Sequence, residues 1–370
     1  MRVGMDFLRF SKEHNGGKCQ VAYNLLKGFY ENGYAESIIC FCHEDLTKTL
    51  LDIAPDIKTV IVPDYKEKKI VPTRIMEGYC LGKLIKDEKI DVMFFLDKFS
   101  PIFKTRCKSV LIAHDILVFA KDENTDIEYE KGLIKKHKLL LRIDFALRDH
   151  IIAISEYDKK CMIKYLRKPK KIVRIYDPIV FPEYKKNDNK KYITALNIQH
   201  PHKNIMTLIK AYNEIKNKIS YELILVGKEP HNIKEIKEYI KSNDLEGRVI
   251  ITGFVTEEKL EDIISQTRLY INPSLFEGFG MASVEMMGNE IPTICADNSA
   301  QKEVTLGCAR YYSPANDAHA LAGVIQDELE KPADKKRLKE YANMVKEKYD
   351  YRIIASEYWD FFTDLANNKS

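Results

Sequence analysis

Short apolar runs alternate with longer amphipathic segments along the whole chain, and this alternation restricts the fold more than any other feature. The candidate strands of the first half are 2–8, 37–42, 59–62, 91–96, 109–114, 150–155 and 171–176. Segments such as QVAYNLLKGFYENG (20–33), which closes on Gly33, read as the helices between them. The runs are continuously apolar rather than alternating in polarity. That pattern predicts parallel strands covered on both faces, an α/β sheet with helices above and below. The segment 178–191, with two prolines and several charged and Asn residues, reads as a linker. After it the pattern restarts at 192–198, 221–227, 248–254, 268–273, 291–296 and 309–313. A chain of 370 residues has room for two such domains.

The most informative local feature is PSLFEGFGMASVEMMGNEIP (273–292). It joins a strand end to a helix start through Gly278, Phe279 and Gly280. Free N–H groups and the positive end of a helix dipole collect at such a turn and suit a phosphate. Glu277 and Glu285, with seven residues between them, flank it. Carboxylates there would repel a phosphate, so they are expected to accept hydrogen bonds from hydroxyls. Phosphates and hydroxyls together describe a nucleotide sugar.

On EGFG, the second Glu and the following Pro292, the chain resembles the retaining glycosyltransferases of GT-B fold, family 4 (group 1). The resemblance implies two doubly wound, Rossmann-like parallel-sheet domains with an interdomain cleft. Residues 1–180 would bind the acceptor and 181–351 the nucleotide-sugar donor, with the last helix, 352–370, packing back on the first domain. It implies a hexosyltransferase-type, metal-independent enzyme. Its product would be a cell-surface polysaccharide or glycolipid, and its location cytoplasmic or peripheral on the inner face of the membrane. Glu277, Lys203 and His114 would be catalytic. Donor contacts would come from Asn197, Gly278, Phe279, Gly280, Met281, Ala282, Glu285, Gly227 and Val255. A Gly-Gly loop at Asn15, Gly16, Gly17 and Lys18 would serve the donor phosphates or the acceptor, and Asp115 would follow His114 as in the family's His-Asp pair. Two positions depart from the family pattern. Asn197 stands where an Arg usually grips the phosphates. Glu290 stands where a Gly usually precedes the Pro, and Gly288 is expected to relieve that turn instead. Two other readings remain: a binding or assembly subunit that has lost catalysis, and a sugar-phosphate synthase with a soluble acceptor.

Composition limits the rest. No run of about 18 apolar residues occurs, so no membrane span is expected, and Met1 to Phe10 reads as a first strand rather than a signal peptide. The eight cysteines include no C-x-x-C pair, so no zinc site is expected. No Asp-x-Asp occurs, so no metal is expected on the diphosphate, and no cofactor is expected. The net charge of +4 is uneven: residues 1–180 carry 33 Lys and Arg against 26 Asp and Glu, and 181–370 carry 26 against 29. The segment 131–148 places Lys131, Lys135, Lys136, Lys138, Arg142 and Arg148 among Leu and Ile. It reads either as a basic amphipathic helix on an anionic membrane or as a solvated helix with Leu139, Leu140 and Ile143 in the core. No aromatic-interleaved basic groove suggests nucleic acid.

Overall fold

The computed structural model describes residues 1–11, 16–65, 70–114, 116–117, 131–165, 171–185 and 187–367. Asn15 and Asp115 lie outside the described residues. The chain divides into two compact units, one of Met1–Ala120, Tyr129–Val180 and Tyr349–Ser370, the other of Lys121–Glu128 and Phe181–Lys348.

The first unit holds a parallel sheet of β1 (Val3–Asp6), β2 (Ile38–Cys42), β3 (Lys58–Ile61), β4 (Val92–Phe95), β5 (Lys108–Ala113), β6 (His150–Ala153) and β7 (Lys171–Arg174). Their order is β3-β2-β1-β4-β5-β6-β7. The central strands β1, β2 and β4 are buried at every residue, whereas the edge strands β3 and β7 are not. Crossovers between parallel strands are right-handed. Connections running leftward, β1 to β2 to β3, therefore place their helices on one face. Those running rightward, β3 to β4, β5 to β6 and β6 to β7, place theirs on the other. On the first face the helix Gly17–Glu31 meets the C-terminal helix Tyr351–Asn367. Phe29 lies against Trp359 and Phe362, and Tyr34 stacks on Trp359 with ring centroids 4.2 Å apart. On the second face the helices Ile70–Asp87 and Lys131–Leu147 are joined by a buried ion pair, Arg74 with Asp144. Cys40 and Cys42, two residues apart on β2, are buried free thiols.

The second unit holds β8 (Tyr192–Leu196), β9 (Glu222–Val226), β10 (Val249–Gly253), β11 (Thr267–Asn272), β12 (Thr293–Ala296) and β13 (Arg310–Tyr312), in the order β10-β9-β8-β11-β12-β13. Its core gathers Ile193, Leu208, Tyr212, Leu225, Leu269 and Ile294, all completely buried. Every strand expected from the apolar runs is present, offset by no more than a few residues at its ends.

The turn after the helix Met281–Gly288 corrects one expectation. Gly288 does not relieve it. Glu290 itself holds a left-handed backbone, φ 60°. Gly288 meets a different demand: a β-carbon there would lie 2.3 Å from the Phe181 ring. A left-handed conformation costs a side-chain-bearing residue roughly 1–2 kcal/mol, partly offset by the extra freedom glycine gives the unfolded chain. Glu290→Gly is therefore expected to raise stability by about 0.5–1 kcal/mol, read as a higher thermal midpoint. A lower midpoint would mean that the Glu290 side chain contributes more than the strain costs.

Candidate active site

The two halves of the second sheet run in opposite directions from β8 and β11, which lie side by side. Ligands of open α/β sheets bind beyond the carboxyl ends of the strands at such a switch point. The loop after β8 carries Lys203, and the loop after β11 carries Glu277. They meet there: Lys203 Nζ donates to Glu277 Oε1 at 2.6 Å, and both side chains are mostly buried.

The loops are built to hold this pair. Pro201–Lys203 forms a single 3-10 turn that ends on Asn204 in a left-handed conformation, φ 54°. The Asn204 amide donates to the carbonyls of Pro273 and Ala315, which fixes one loop to the other. The Leu275 N–H donates to the His202 carbonyl at 2.7 Å, a second tie. Beneath Glu277, Ser274 Oγ donates to Oε1 at 2.8 Å and Asn272 Nδ2 at 3.3 Å, so three donors converge on one oxygen. The Glu277 N–H donates to Ser299 Oγ. Burial alone would favour the neutral acid at Glu277, but the charges of Lys203 and His202 and the hydrogen bonds outweigh it. They hold the carboxyl below the usual range, so it is an anion at neutral pH.

Gly280 follows as N-cap of the helix Met281–Gly288, with φ 87°. This left-handed position is where glycine is needed. No side chain caps the helix start and no acidic residue lies in its first turn. Met281 and Ala282 begin that turn, whose N–H groups have no partner inside the helix. The Phe279 ring is buried in the unit, so the turn presents backbone there and not the aromatic side chain. Glu285 lies one turn further on and is only partly exposed. Burial pushes its carboxyl up to about 7.

The remaining residues fall at strand ends. Asn197, directly after β8, has a left-handed backbone, φ 58°, a conformation that Asn tolerates better than Arg. Gly227 and Gly253 close β9 and β10 and bridge one another. The Val255 side chain packs on Ile224, Val226 and Ile263, which leaves its backbone for any ligand contact. In the first unit His114 ends β5, and its Nε2 lies 3.2 Å from Asp177 Oδ1, both side chains being buried. Gly16 is the N-cap of Gly17–Glu31, and Lys18 Nζ pairs with Asp97 at 3.1 Å.

Asn204 follows Lys203 as in the family's Lys-Asn pair, whereas Asn272, Ser299 and Asp177 carry no signal in the sequence, and Ser274 reads there as the strand boundary rather than as a support for Glu277. Two positions of the basic segment depart from expectation. Arg148 is no part of a basic surface: it is fully buried, its guanidinium 3.7 Å from the Phe95 ring centroid and bonded to the Pro101 carbonyl. Leu139 is 59% exposed, so it is not in the core, whereas Leu140 is. Among the described residues no helix is long and apolar enough to cross a membrane, and no group of His, Cys, Asp and Glu is placed to hold a metal.

Comparison with known proteins agrees with this architecture. Residues 177–345 match the family model described as glycosyl transferases group 1. The chain is 25% identical over 241 residues to O-antigen chain mannosyltransferase B of Escherichia coli, covering 60% of this chain and 61% of that protein. It is 26% identical over 193 residues to O-antigen chain mannosyltransferase RfbU of Salmonella typhimurium, covering 51% and 54%. The matches thus span little more than half the length of these relatives. Two solved structures share the fold over nearly the whole of both chains. Sucrose-phosphate synthase from Thermosynechococcus elongatus has a TM-score of 0.79 at 15% identity, covering 99% of each chain. Anabaena Alr3699/HepE in complex with UDP has a TM-score of 0.75 at 17% identity, covering 98% of this chain and 100% of that one. The fold is GT-B, and it is over residues 177–345 that the chain resembles the glycosyl transferases group 1 family.

Proposed function

We propose that this protein transfers a hexosyl group from a nucleotide diphosphate sugar to an acceptor hydroxyl, with retention of anomeric configuration, in the assembly of a cell-surface glycan. The observation that supports it most is the Lys203–Glu277 pair at the β8/β11 switch point, beside an uncapped helix start. In the reaction the bond between the anomeric carbon and the β-phosphate oxygen breaks. The acceptor oxygen bonds to the anomeric carbon, and the acceptor proton passes to the leaving phosphate. Negative charge grows on the diphosphate. Lys203 would turn from Glu277 to meet it, with the N–H groups of Met281 and Ala282, which is electrostatic stabilisation by preorganised donors.

Glu277 has its donors gathered on Oε1, so Oε2 is suited to a sugar hydroxyl. Glu285 would accept from the ribose hydroxyls, with Asn197 and the backbone of Gly227, Gly278, Gly280 and Val255 completing the donor site. In the same reading His114 serves the donor sugar, and Gly16, Gly17 and Lys18 serve a phosphate or the acceptor. The mannosyltransferase relatives make GDP-mannose the first donor to test, and the UDP complex of the HepE structure makes UDP-glucose the second. An acceptor carried on an anionic membrane would meet the basic segment 131–148.

Since Lys203 and helix N–H groups take the place of a cation on the diphosphate, turnover is expected to persist in excess EDTA. Release of nucleoside diphosphate, followed by a coupled assay, checks this after metal-free exchange. Loss of activity on chelation, restored by magnesium or manganese, would contradict it.

A further inference from the structure

In the first unit the end of β5 meets the segment that follows β7. His114 closes β5, and its Nε2 lies 3.2 Å from Asp177 Oδ1. The two side chains are only 7% and 4% exposed. They are 63 residues apart in the chain. The sheet brings them together, because β5 and β7 flank β6.

The backbone around Asp177 is tied on both sides. Asn24, on the helix Gly17–Glu31, donates from Nδ2 to the Pro178 carbonyl at 2.9 Å. The Ile179 N–H donates to the Tyr349 carbonyl at 2.8 Å, and the Ile175 N–H to the Ala153 carbonyl of β6 at 3.1 Å. Between them the Tyr176 ring meets the Tyr349 ring edge-on. The carboxyl is thus carried to the imidazole by a helix, a strand and the start of the C-terminal segment together.

The pair settles where the imidazole proton lies. A carboxylate only accepts, whereas a neutral imidazole has one N–H and one bare acceptor nitrogen. Among the described residues, the hydrogen bond with His114 is the only one that the Asp177 carboxyl makes. A carboxylate buried to this extent needs that donor, so the proton belongs on Nε2. Nδ1 is then a bare acceptor. It is buried and has no hydrogen-bond partner. Buried polar atoms are rarely left so, because an unpaired one costs stability. The group that suits it is a hydroxyl that donates.

We infer that Asp177 is the positioning residue of His114: it fixes the imidazole as the Nε2–H tautomer and leaves Nδ1 to accept a hydrogen bond from a sugar hydroxyl of the bound substrate. This rests on the reading in which His114 serves a sugar. It adds which nitrogen does so, which way the hydrogen bond runs and what holds the ring. Such bonds are often incomplete in the free enzyme and close in the complex. A site built to pair with a hydroxyl also rejects an analogue that lacks it, because the buried polar atom then stays unpaired.

Long-range proton–nitrogen NMR of the full chain, labelled on histidine, reads the tautomer without any ligand. His114, identified by its loss from the spectrum of His114→Gln, should carry its one proton on Nε2 at pH 8. A proton on Nδ1, alone or together with Nε2, overturns the inference. Asp177→Asn should turn the single tautomer into a mixture, because an amide can accept from Nε2–H or donate to bare Nε2. An unchanged tautomer in that variant would remove Asp177 from the role. Calorimetric titration then locates the hydroxyl, with GDP-mannose and UDP-glucose each compared with its nucleoside diphosphate. His114→Gln keeps a polar group at the Nε2 position and removes the Nδ1 acceptor, and His114→Asn does the reverse. For the nucleotide sugar that binds, His114→Gln should lose about three- to tenfold in affinity, and His114→Asn less. Neither should change affinity for the nucleoside diphosphate. If His114→Gln leaves donor affinity intact but raises KM for membrane-extracted glycolipid, the hydroxyl is the acceptor's and the inference stands. Donor affinity and glycolipid KM both unchanged in His114→Gln would overturn it. A wild-type chain that binds neither nucleotide sugar would instead remove the transferase reading, and the tautomer would still decide the role of Asp177.

Discussion

Lys203→Ala is expected to lower turnover of the nucleotide sugar by about 10²–10³, the usual cost of removing one preorganised charge from a leaving group. The geometry adds a second consequence. Lys203 is the closest cation to Glu277, whose carboxylate is mostly buried. Removing one partner of such a pair strands the other charge, at a cost of roughly 3–5 kcal/mol when burial is complete and less where water still reaches. Lys203→Ala should therefore lose stability as well as activity, and its Glu277 carboxyl should titrate at higher pH than in the wild type. Glu277→Gln removes the stranded anion, so adding it to Lys203→Ala should recover stability without recovering turnover. Chemical denaturation and nucleoside diphosphate release on the three variants check this. A Lys203→Ala protein that turns over at the wild-type rate would remove Lys203 from the mechanism. Equal instability of the double variant would mean that Lys203 acts through packing rather than charge.

Donor affinity is expected to rise with pH up to about 7, the value to which burial raises Glu285. If Glu285 accepts from the ribose hydroxyls as proposed, it does so as a carboxylate, and binding expels a proton from any Glu285 that carries one. Affinity should then fall about tenfold per pH unit below 7. GDP-mannose is the suitable probe, because a nucleotide sugar has no ionisation of its own between pH 5 and 8. His200 and His202 share the loop with Lys203 and gain charge on acidification, which favours an anionic ligand and acts with the opposite sign. Subtracting the Glu285→Gln profile isolates the carboxyl. The variant should bind more weakly above pH 7 and lose this slope.

The sign for the free protein runs the other way. A carboxyl whose pKa is raised from 4.5 to about 7 by folding destabilises the fold when ionised. That cost is absent below about 4.5, grows through the window and is complete above about 7. Because the side chain keeps some contact with water, Glu285→Gln should gain about 1–3 kcal/mol at pH 8 and nothing at pH 4. A Glu285→Gln profile parallel to that of the wild type from pH 5 to 8 would remove Glu285 from the ribose.

The fold was legible because continuous apolar runs such as SVLIAH and YELILVG have few alternatives to buried parallel strands. All thirteen strands among the described residues followed from them. EGFG was legible for a related reason. A left-handed N-cap at Gly280 and an inward Phe279 leave little choice of residue, so the turn writes itself into the sequence. The support of Glu277 was not legible. Asn272 and Ser274 read as the end of a strand, and Asn298 and Ser299 as part of the loop after β12. Only the folded loops bring Asn272 and Ser274 to the Glu277 carboxylate, Ser299 to the Glu277 N–H and Asn298 to the Ser274 carbonyl. Asp177 is 63 residues from His114, and no local pattern joins them. Arg148 failed for the opposite reason: charge spacing on a helix marks a surface only when no aromatic pocket lies beneath it, and Phe95 and Phe103 provide one.

Whether this protein is a retaining sugar transferase is decided by the anomeric configuration of its product. Purified protein should be incubated in EDTA with GDP-mannose and, separately, UDP-glucose, with membrane-extracted glycolipid as acceptor. The configuration of the new linkage is then read by NMR from the one-bond coupling between the anomeric carbon and its proton, which separates the anomers of both mannose and glucose. One nucleoside diphosphate should be released per linkage formed, and the product should have the same anomeric configuration as the donor, both lost in Lys203→Ala. An inverted linkage would contradict it, as would tight nucleotide-sugar binding at Lys203 and Glu277 with no release of nucleoside diphosphate.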